Sequence, residues 1–333
     1  RRVRGMPMRL EPVDEYLHEL GPETTFNESM YFNVYDPAEN VGGFVRLGNR
    51  ANEGYAEMTT CLYLPDGRVA FMYNRPEISD NDAFAAGGMT FEVVEPFEEL
   101  KVGYEGKVVM LEDPLEMADP RQAFTNNPYE KAKVELTYTR VSDPIGGEPT
   151  EHVEREGEEF AKGHYEQLNA AAGTIAVGDQ EWQVSGFGLR DHSWGPRTWQ
   201  APWYYRWLTA NFGGDFGFMG SRIARPDRDG MRGGFIWDGD RIIPCHSFDI
   251  STEWTETGTY HRAIEATLHH AEGSLKVTGK VLNLIPLRNR RDGRVTRISE
   301  GLTEWTLEDG RVGYGLSEYL DQIIDDQPVG LAE

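Results

Sequence analysis

The chain has 333 residues, room for about two ordinary domains, and its 39% hydrophobic and 27% charged residues with a mean hydropathy of −0.57 place it among globular proteins, excluding a disordered or membrane-embedded chain. Acidic residues outnumber basic ones 56 to 33, and the resulting charge of −23 repels phosphate backbones and anionic headgroups, so nucleic acid is excluded as a partner. Cys61 and Cys245 stand alone, outside any CxxC spacing, as expected in a reducing cytoplasm; no run of about 18 apolar residues offers an integral membrane segment, and the opening RRVRGMPMRL carries no apolar signal-peptide region.

In chain order, EPVDEYLHELG places Val13, Tyr16, Leu17 and Leu20 at helical spacing, with Pro12 in the first turn and Gly21 as a stop, which predicts a short N-terminal helix. Period two then takes over. Met30, Phe32 and Val34 alternate with Tyr31, Asn33 and Tyr35, and Ala132, Val134, Leu136 and Tyr138 alternate with Lys133, Glu135, Thr137 and Thr139. Turn signals recur at Asp66-Gly67, Glu105-Gly106, Gly178-Asp179, Gly213-Gly214, Asp238-Gly239, Glu272-Gly273 and Asp309-Gly310, so the expected class is an all-β antiparallel meander that closes or stacks to hide its edges.

The segments 113–129 and 142–157 have no period and are rich in Pro, Gly or acid, which predicts surface loops or lids. A boundary near residue 175 divides the chain into an N-terminal domain, 1–175, and a C-terminal domain, 176–333. HRAIEATLHHAEGSLKVTGKV predicts a hairpin with Ile264, Ala266 and Leu268 answered by Leu275 and Val277. LPDGRVAFMY and LEDGRVGYGL share a Leu-x-Asp-Gly-Arg-Val turn, which either a duplicated domain or common hairpin chemistry would produce.

The densest chemistry lies in GFGLRDHSWGPRTWQAPWYYRW, 186–207. On a strand, Phe187, Leu189, Asp191 and Ser193 share one face, while Arg190, His192 and Trp194 share the other. Adjacent Asp191 and His192 therefore cannot form a dyad on a regular strand, but His192 and Trp194 project together. An imidazole beside an indole suits proton delivery and stabilisation of a developing cation; equally, it suits a cation–aromatic stack with Arg190 or Arg197 that closes a barrel end. Gly186, Gly188 and Gly195 mark close backbone approach or a bulge.

Upstream, HYEQ places His164 and Glu166 on one face, where Glu166 becomes a general acid if an apolar pocket raises its pKa. The alternative is a solvated salt bridge. No metal-binding motif, dinucleotide fingerprint, phosphate loop or G-x-S-x-G elbow is present, so neither metal nor cofactor is expected.

GFGLRDHSWGPR, with HYEQ and the strand-rich layout, resembles the lipocalin-like superfamily of carotenoid 1,2-hydratases (hydroxyneurosporene synthases), kievitone-type hydratases and fungal Diels–Alderases. The resemblance implies two tandem lipocalin-like antiparallel β-barrels with an apolar ligand in a barrel cavity or between domains. In the carotenoid hydratases a His-x-Trp pair and a later Tyr-x-Asp pair protonate an isoprenoid double bond; His192 and Trp194 match the first pair, while WLTANFGGDFGFMGSRI lacks the second and offers only Asp215.

The expectation is thus a cofactor-independent, cytoplasmic enzyme that hydrates or cyclises an isoprenoid, terpenoid or similarly apolar substrate. Asp191 or Glu166 would supply the proton and His192 relay it. Trp194, Trp199, Trp203, Tyr204 and Trp207 would wall the site, with Arg190 and His164 beside the substrate. The alternative is a non-catalytic lipid or terpenoid carrier with the same barrels and no buried carboxyl; a structural module would have no ligand-sized cavity. The chain also leaves room for a homodimer.

Overall fold

A computed structural model describes residues 7–150 and 161–331. Phe26–Asp36 (β1), Val41–Arg50 (β2), Tyr55–Tyr63 (β3), Val69–Asn74 (β4), Glu99–Leu111 (β5), Tyr129–Arg140 (β6), Gly163–Val177 (β7) and Gln180–Pro196 (β8) pair antiparallel in sequence order. β8 then pairs with β1, His192 opposite Met30, and closes the ring.

Tyr204–Asn211 (β9), Gly217–Arg225 (β10), Arg228–Trp237 (β11), Ile242–Trp254 (β12), His261–His270 (β13), Gly273–Arg291 (β14), Arg294–Leu307 (β15) and Val312–Ile324 (β16) repeat the pattern, with β16 returning to β9. Two closed up-and-down barrels result, and closure removes the edges that an open sheet would expose.

Alternation decides where each side chain goes. Met30, Phe32 and Val34 enter the first barrel's core with Leu47, Met58 and Tyr138. Tyr31 and Tyr35, on the other face of β1, pack with Phe44, Cys61 and Tyr63 against Ile285, Leu302 and Leu316 of the second barrel. β1 is therefore buried on both sides, which is why MYFNVY is apolar or aromatic at nearly every position. The second barrel is filled by Leu208, Phe218, Phe248, Ile264 and Trp305. Close approach also explains Gly188 on β8, where a Cβ would sit 1.7 Å from the Asn33 carbonyl oxygen.

Several elements depart from expectation. The N-terminal helix is one 3₁₀ turn, Pro12–Glu15, and its predicted apolar face is split: Val13 is 66% exposed while Leu17 packs on the first barrel's core, and Glu15 is 0% exposed. Burying that carboxylate against a buried arginine outweighs local periodicity. Residue 175 lies inside β7, and β8 still belongs to the first sheet, so the change of sheet falls between Pro196 and Tyr204. The boundary at 1–175 and 176–333 cut a hairpin whose two strands pair along their whole length.

The segment 113–129 is not a bare loop. It forms a 3₁₀ turn, Pro114–Ala118, and a helix, Pro120–Asn126, whose Met117 and Ala123 join the inter-barrel core. Of the second predicted loop, Ile145–Pro149 is a strand on the edge of β7, and residues 151–157 lie outside the described residues. Both cysteines are buried thiols, and no helix among the described residues is long and apolar enough to cross a membrane.

Candidate active site

The face assignment read from GFGLRDHSWGPR holds. In register, Arg190 is opposite Phe32, His192 opposite Met30 and Trp194 opposite Glu28, all inside the first barrel; Asp191 is opposite Tyr31 and faces the second. The predicted catalytic set is thereby split by the sheet, with His192 and Trp194 on one side and Asp191 and Glu166 on the other. His192 cannot relay a proton from either carboxyl.

On the inward side the charged groups around β8 are matched. Arg190 donates to both oxygens of Glu15, at 2.7 and 2.6 Å, and to Gln167 at 2.9 Å, so it is an ion-pair partner and not a substrate contact. Tyr165 donates to Glu15 at 2.5 Å, and its hydroxyl lies 3.0 Å from His192 Nδ1. The other ring nitrogen, Nε2, lies 2.7 Å from Glu28. His18 bridges Glu28 and Asp14 at 2.7 and 2.8 Å, and Trp194 stacks on its ring at 4.0 Å. Burial alone would raise the Glu28 carboxyl, but hydrogen bonds and charge from His18 and His192 outweigh it and bring it down to about 2. His192 is 0% exposed with both nitrogens engaged. This half of the motif pins the N-terminal segment into the barrel end.

The outward side is unbalanced. Glu166 and Asp191 are opposite each other on β7 and β8, with His164 Nε2 at 2.5 Å from Asp191 and 3.3 Å from Glu166. Trp207 of β9 donates its indole N–H to Glu166 Oε1 at 2.9 Å, while buried Oε2 has no partner. Burial raises the Glu166 carboxyl to about 7, with His164 opposing and Asp191 adding to the shift. At Asp191 burial is outweighed by His164 and Arg197, and its pKa falls. Burial disfavours a charged His164, yet the two carboxylates raise it to about 10. Paired carboxyls pushed in opposite directions are what an acid–base site requires.

Sequence reading missed a second carboxyl pair on the facing barrel. Glu300 and Glu318 are opposite each other on β15 and β16; Tyr205 donates to Glu318 at 2.7 Å, and Glu300 Oε2 is buried without a partner. Burial first, and then Glu318, push the Glu300 carboxyl well up. A signal was present: each Glu interrupts an apolar face, Ile298-x-Glu300-x-Leu302 and Leu316-x-Glu318-x-Leu320.

The predicted aromatic wall divides as well. Trp207 stands edge-on to Tyr31 at 5.1 Å in the inter-barrel layer, and Trp199 lies under Arg46 and Arg197 at 5.0 and 5.4 Å. Tyr204 instead lies under Arg206 and Arg222 at 4.7 and 5.3 Å, with Arg206 paired to Asp321 inside the second barrel. Trp203 is half-buried, its backbone bonded to Ala224 and Gln322. Asp215 is exposed in the turn before β10. One row of paired residues, Glu166, Asp191, Tyr31 and Arg46, runs across the first barrel's outer face. Beyond it, Trp199 borders a 170 Å³ cavity between the barrels.

Among the described residues two groups hold ligand-capable atoms within 4.8 Å of one another, His18–Glu28–His192 and His164–Glu166–Asp191. In the first, all bonds are already internal; in the second, the orphaned Glu166 oxygen could take a cation in place of a proton.

Two closed antiparallel barrels packed through one wall of each are the two-barrel lipocalin-like architecture expected from the sequence. The chain belongs to the family described as a domain of unknown function (DUF7064), matched over residues 11–323. Similar solved structures include kievitone hydratase from Nectria haematococca, at 11% identity over 96% of this chain and 94% of that one with a TM-score of 0.54. CghA matches at 11% identity over 91% and 90% of the two chains with a TM-score of 0.54. A Nitrosomonas europaea protein provisionally assigned as AttH matches at 13% over 91% and 96% with a TM-score of 0.55. At such identities the likeness establishes the fold. No curated protein matches the sequence.

Proposed function

We propose that the chain is a cofactor-independent, cytoplasmic enzyme that uses the inter-barrel carboxyl of Glu166 to protonate a double bond of an apolar, isoprenoid-like substrate. The observation that carries this reading is a carboxyl 2% exposed, with one oxygen held by the Trp207 indole and the other unpartnered, so that burial pushes its pKa up to about 7. Protonating an alkene needs an acid kept neutral by desolvation at working pH.

Proton transfer from Glu166 Oε2 forms a C–H bond and leaves a carbocation and a carboxylate. Water then adds and returns a proton to that carboxylate, the net change being addition of H–OH; in cyclisation a second double bond attacks and a carbon-bound proton is returned instead. Tyr31 and Trp207 supply π-faces for the cation. The His164–Asp191 pair re-poises Glu166 between turnovers, because His164 reaches both carboxyls. Kievitone hydratase of the same fold bears a name consistent with water addition.

Native mass spectrometry of the protein from its own host identifies a retained ligand for a turnover assay. Glu166→Gln keeps the shape and removes the proton, so the rate is expected to fall by about 10²–10⁴. In parallel, a ¹³C-labelled Glu166 carboxyl should titrate near neutral pH. Undiminished turnover in the Gln variant, or titration in the ordinary carboxylate range, would sink the proposal.

A further inference from the structure

Although the chain carries a net charge of −23, the 170 Å³ cavity between the barrels is lined by Arg50 and Arg75 from the first barrel and by Arg290 and Arg291 at the β14–β15 hairpin. Among the described residues two carboxylates, Glu53 and Glu57, share that lining, and both are taken. Glu53 accepts from Arg50 at 3.0 Å and Arg291 at 2.9 Å; Glu57 accepts from Arg50 at 2.9 Å and Trp199 at 3.2 Å and pairs with Arg46 at 3.5 Å.

Arg75 is held by the Tyr73 hydroxyl at 2.8 Å and by the faces of Tyr55 and Tyr73, with no ion pair among the described residues. Arg290 is exposed at the rim and likewise has no ion pair among them. Nearby, Arg46 Nη2 and Asn27 Oδ1 are buried without partners, each 2.8 Å from where a Cβ on Gly48 would lie. Four guanidiniums against two carboxylates leave a surplus that a dianion balances and a monocarboxylate does not. The space holds roughly ten waters, enough for one or two tetrahedral oxyanions.

We propose that this cavity binds a small dianionic oxyanion of phosphate or diphosphate chemistry, either free or as the head group of an amphiphile, with Arg75 and Arg290 closing on it from opposite barrels. Guanidinium forks meet phosphate oxygens in parallel hydrogen bonds, and the pre-stacked Arg75 loses little freedom in doing so. The site stands independently of what Glu166 does.

Isothermal titration of the full chain at fixed ionic strength tests it directly, with inorganic phosphate, inorganic pyrophosphate and octyl phosphate as probes. Saturable one-to-one binding of at least one probe is expected, weakened tenfold or more in Arg75→Ala/Arg290→Ala and unchanged in Arg241→Ala/Arg262→Ala, which removes exposed arginines elsewhere. Octyl phosphate binding more tightly than phosphate assigns the anion as a head group; equal binding assigns a free anion. No saturable binding by wild type, or equal binding by the Arg75/Arg290 variant, overturns the proposal. Circular dichroism melts confirm that the variants fold, and neither side chain is buried in either core.

Discussion

The two faces of β8 carry neighbouring residues to opposite ends. Facing inward, Arg190, His192 and Trp194 enter a network in which Glu15, Glu28 and His18 answer each charge. Facing outward one residue away, Asp191 joins a carboxyl whose second oxygen is left bare. Burial is nearly complete at His192 and Glu166, so burial does not separate structure from chemistry. Satisfaction does: a matched buried charge holds the fold, whereas an unmatched one stores a proton.

The largest effect expected is on the matched side. Glu15→Gln leaves Arg190 charged and buried without its partner, and unfolding free energy in urea should fall by about 3–5 kcal/mol. The double variant Glu15→Leu/Arg190→Met should recover most of that loss. An unchanged midpoint in Glu15→Gln would erase the distinction between the faces.

Next comes pH, because the faces respond with opposite signs. Glu28 is held at about 2 against an ordinary 4.5, so its stabilisation, about 3 kcal/mol, is present above pH 4.5 and lost as pH falls toward 2. Glu166 is raised to about 7, so its contribution is present below pH 4.5 and lost as pH rises through 7. Melting curves of wild type and Glu166→Gln should therefore run together below pH 4.5 and diverge between pH 4.5 and 7, the variant becoming relatively more stable, with a constant difference above neutrality. Parallel curves throughout would show that Glu166 carries no raised pKa.

The smallest effect belongs to Trp194→Phe, which keeps a ring over His18 and costs about 1 kcal/mol. Turnover should be unchanged. A large loss of rate without loss of stability would return His192 and Trp194 to the chemistry.

Legibility in the sequence followed the range of the interaction. The hairpin read between His261 and Val281 forms with Ala266 opposite Val277 and Leu268 opposite Leu275, because cross-strand contact there depends only on nearby residues. The repeated Leu-x-Asp-Gly-Arg-Val is also local. Both copies turn through a left-handed Gly, Gly67 and Gly310, with Asp66 and Asp309 accepting from Arg68 and Arg311. They join β3 to β4 in one barrel and β15 to β16 in the other, non-equivalent places that favour shared turn chemistry over duplication. The N-terminal helix was overruled by a partner 175 residues away. Glu300 and Glu318 were readable as acids on apolar faces, but not as neighbours of Tyr205 or as part of the wall facing Glu166.

The sequence by itself determined strands, turns and which side chains share a face, since a period of two and a left-handed glycine are properties of a few consecutive residues. Only the tertiary structure decided which face became a sealed ion-pair network and which an inter-barrel layer with an orphaned carboxyl oxygen. The free energy of a buried charge depends on what arrives opposite it from distant parts of the chain, and no local pattern encodes that arrival.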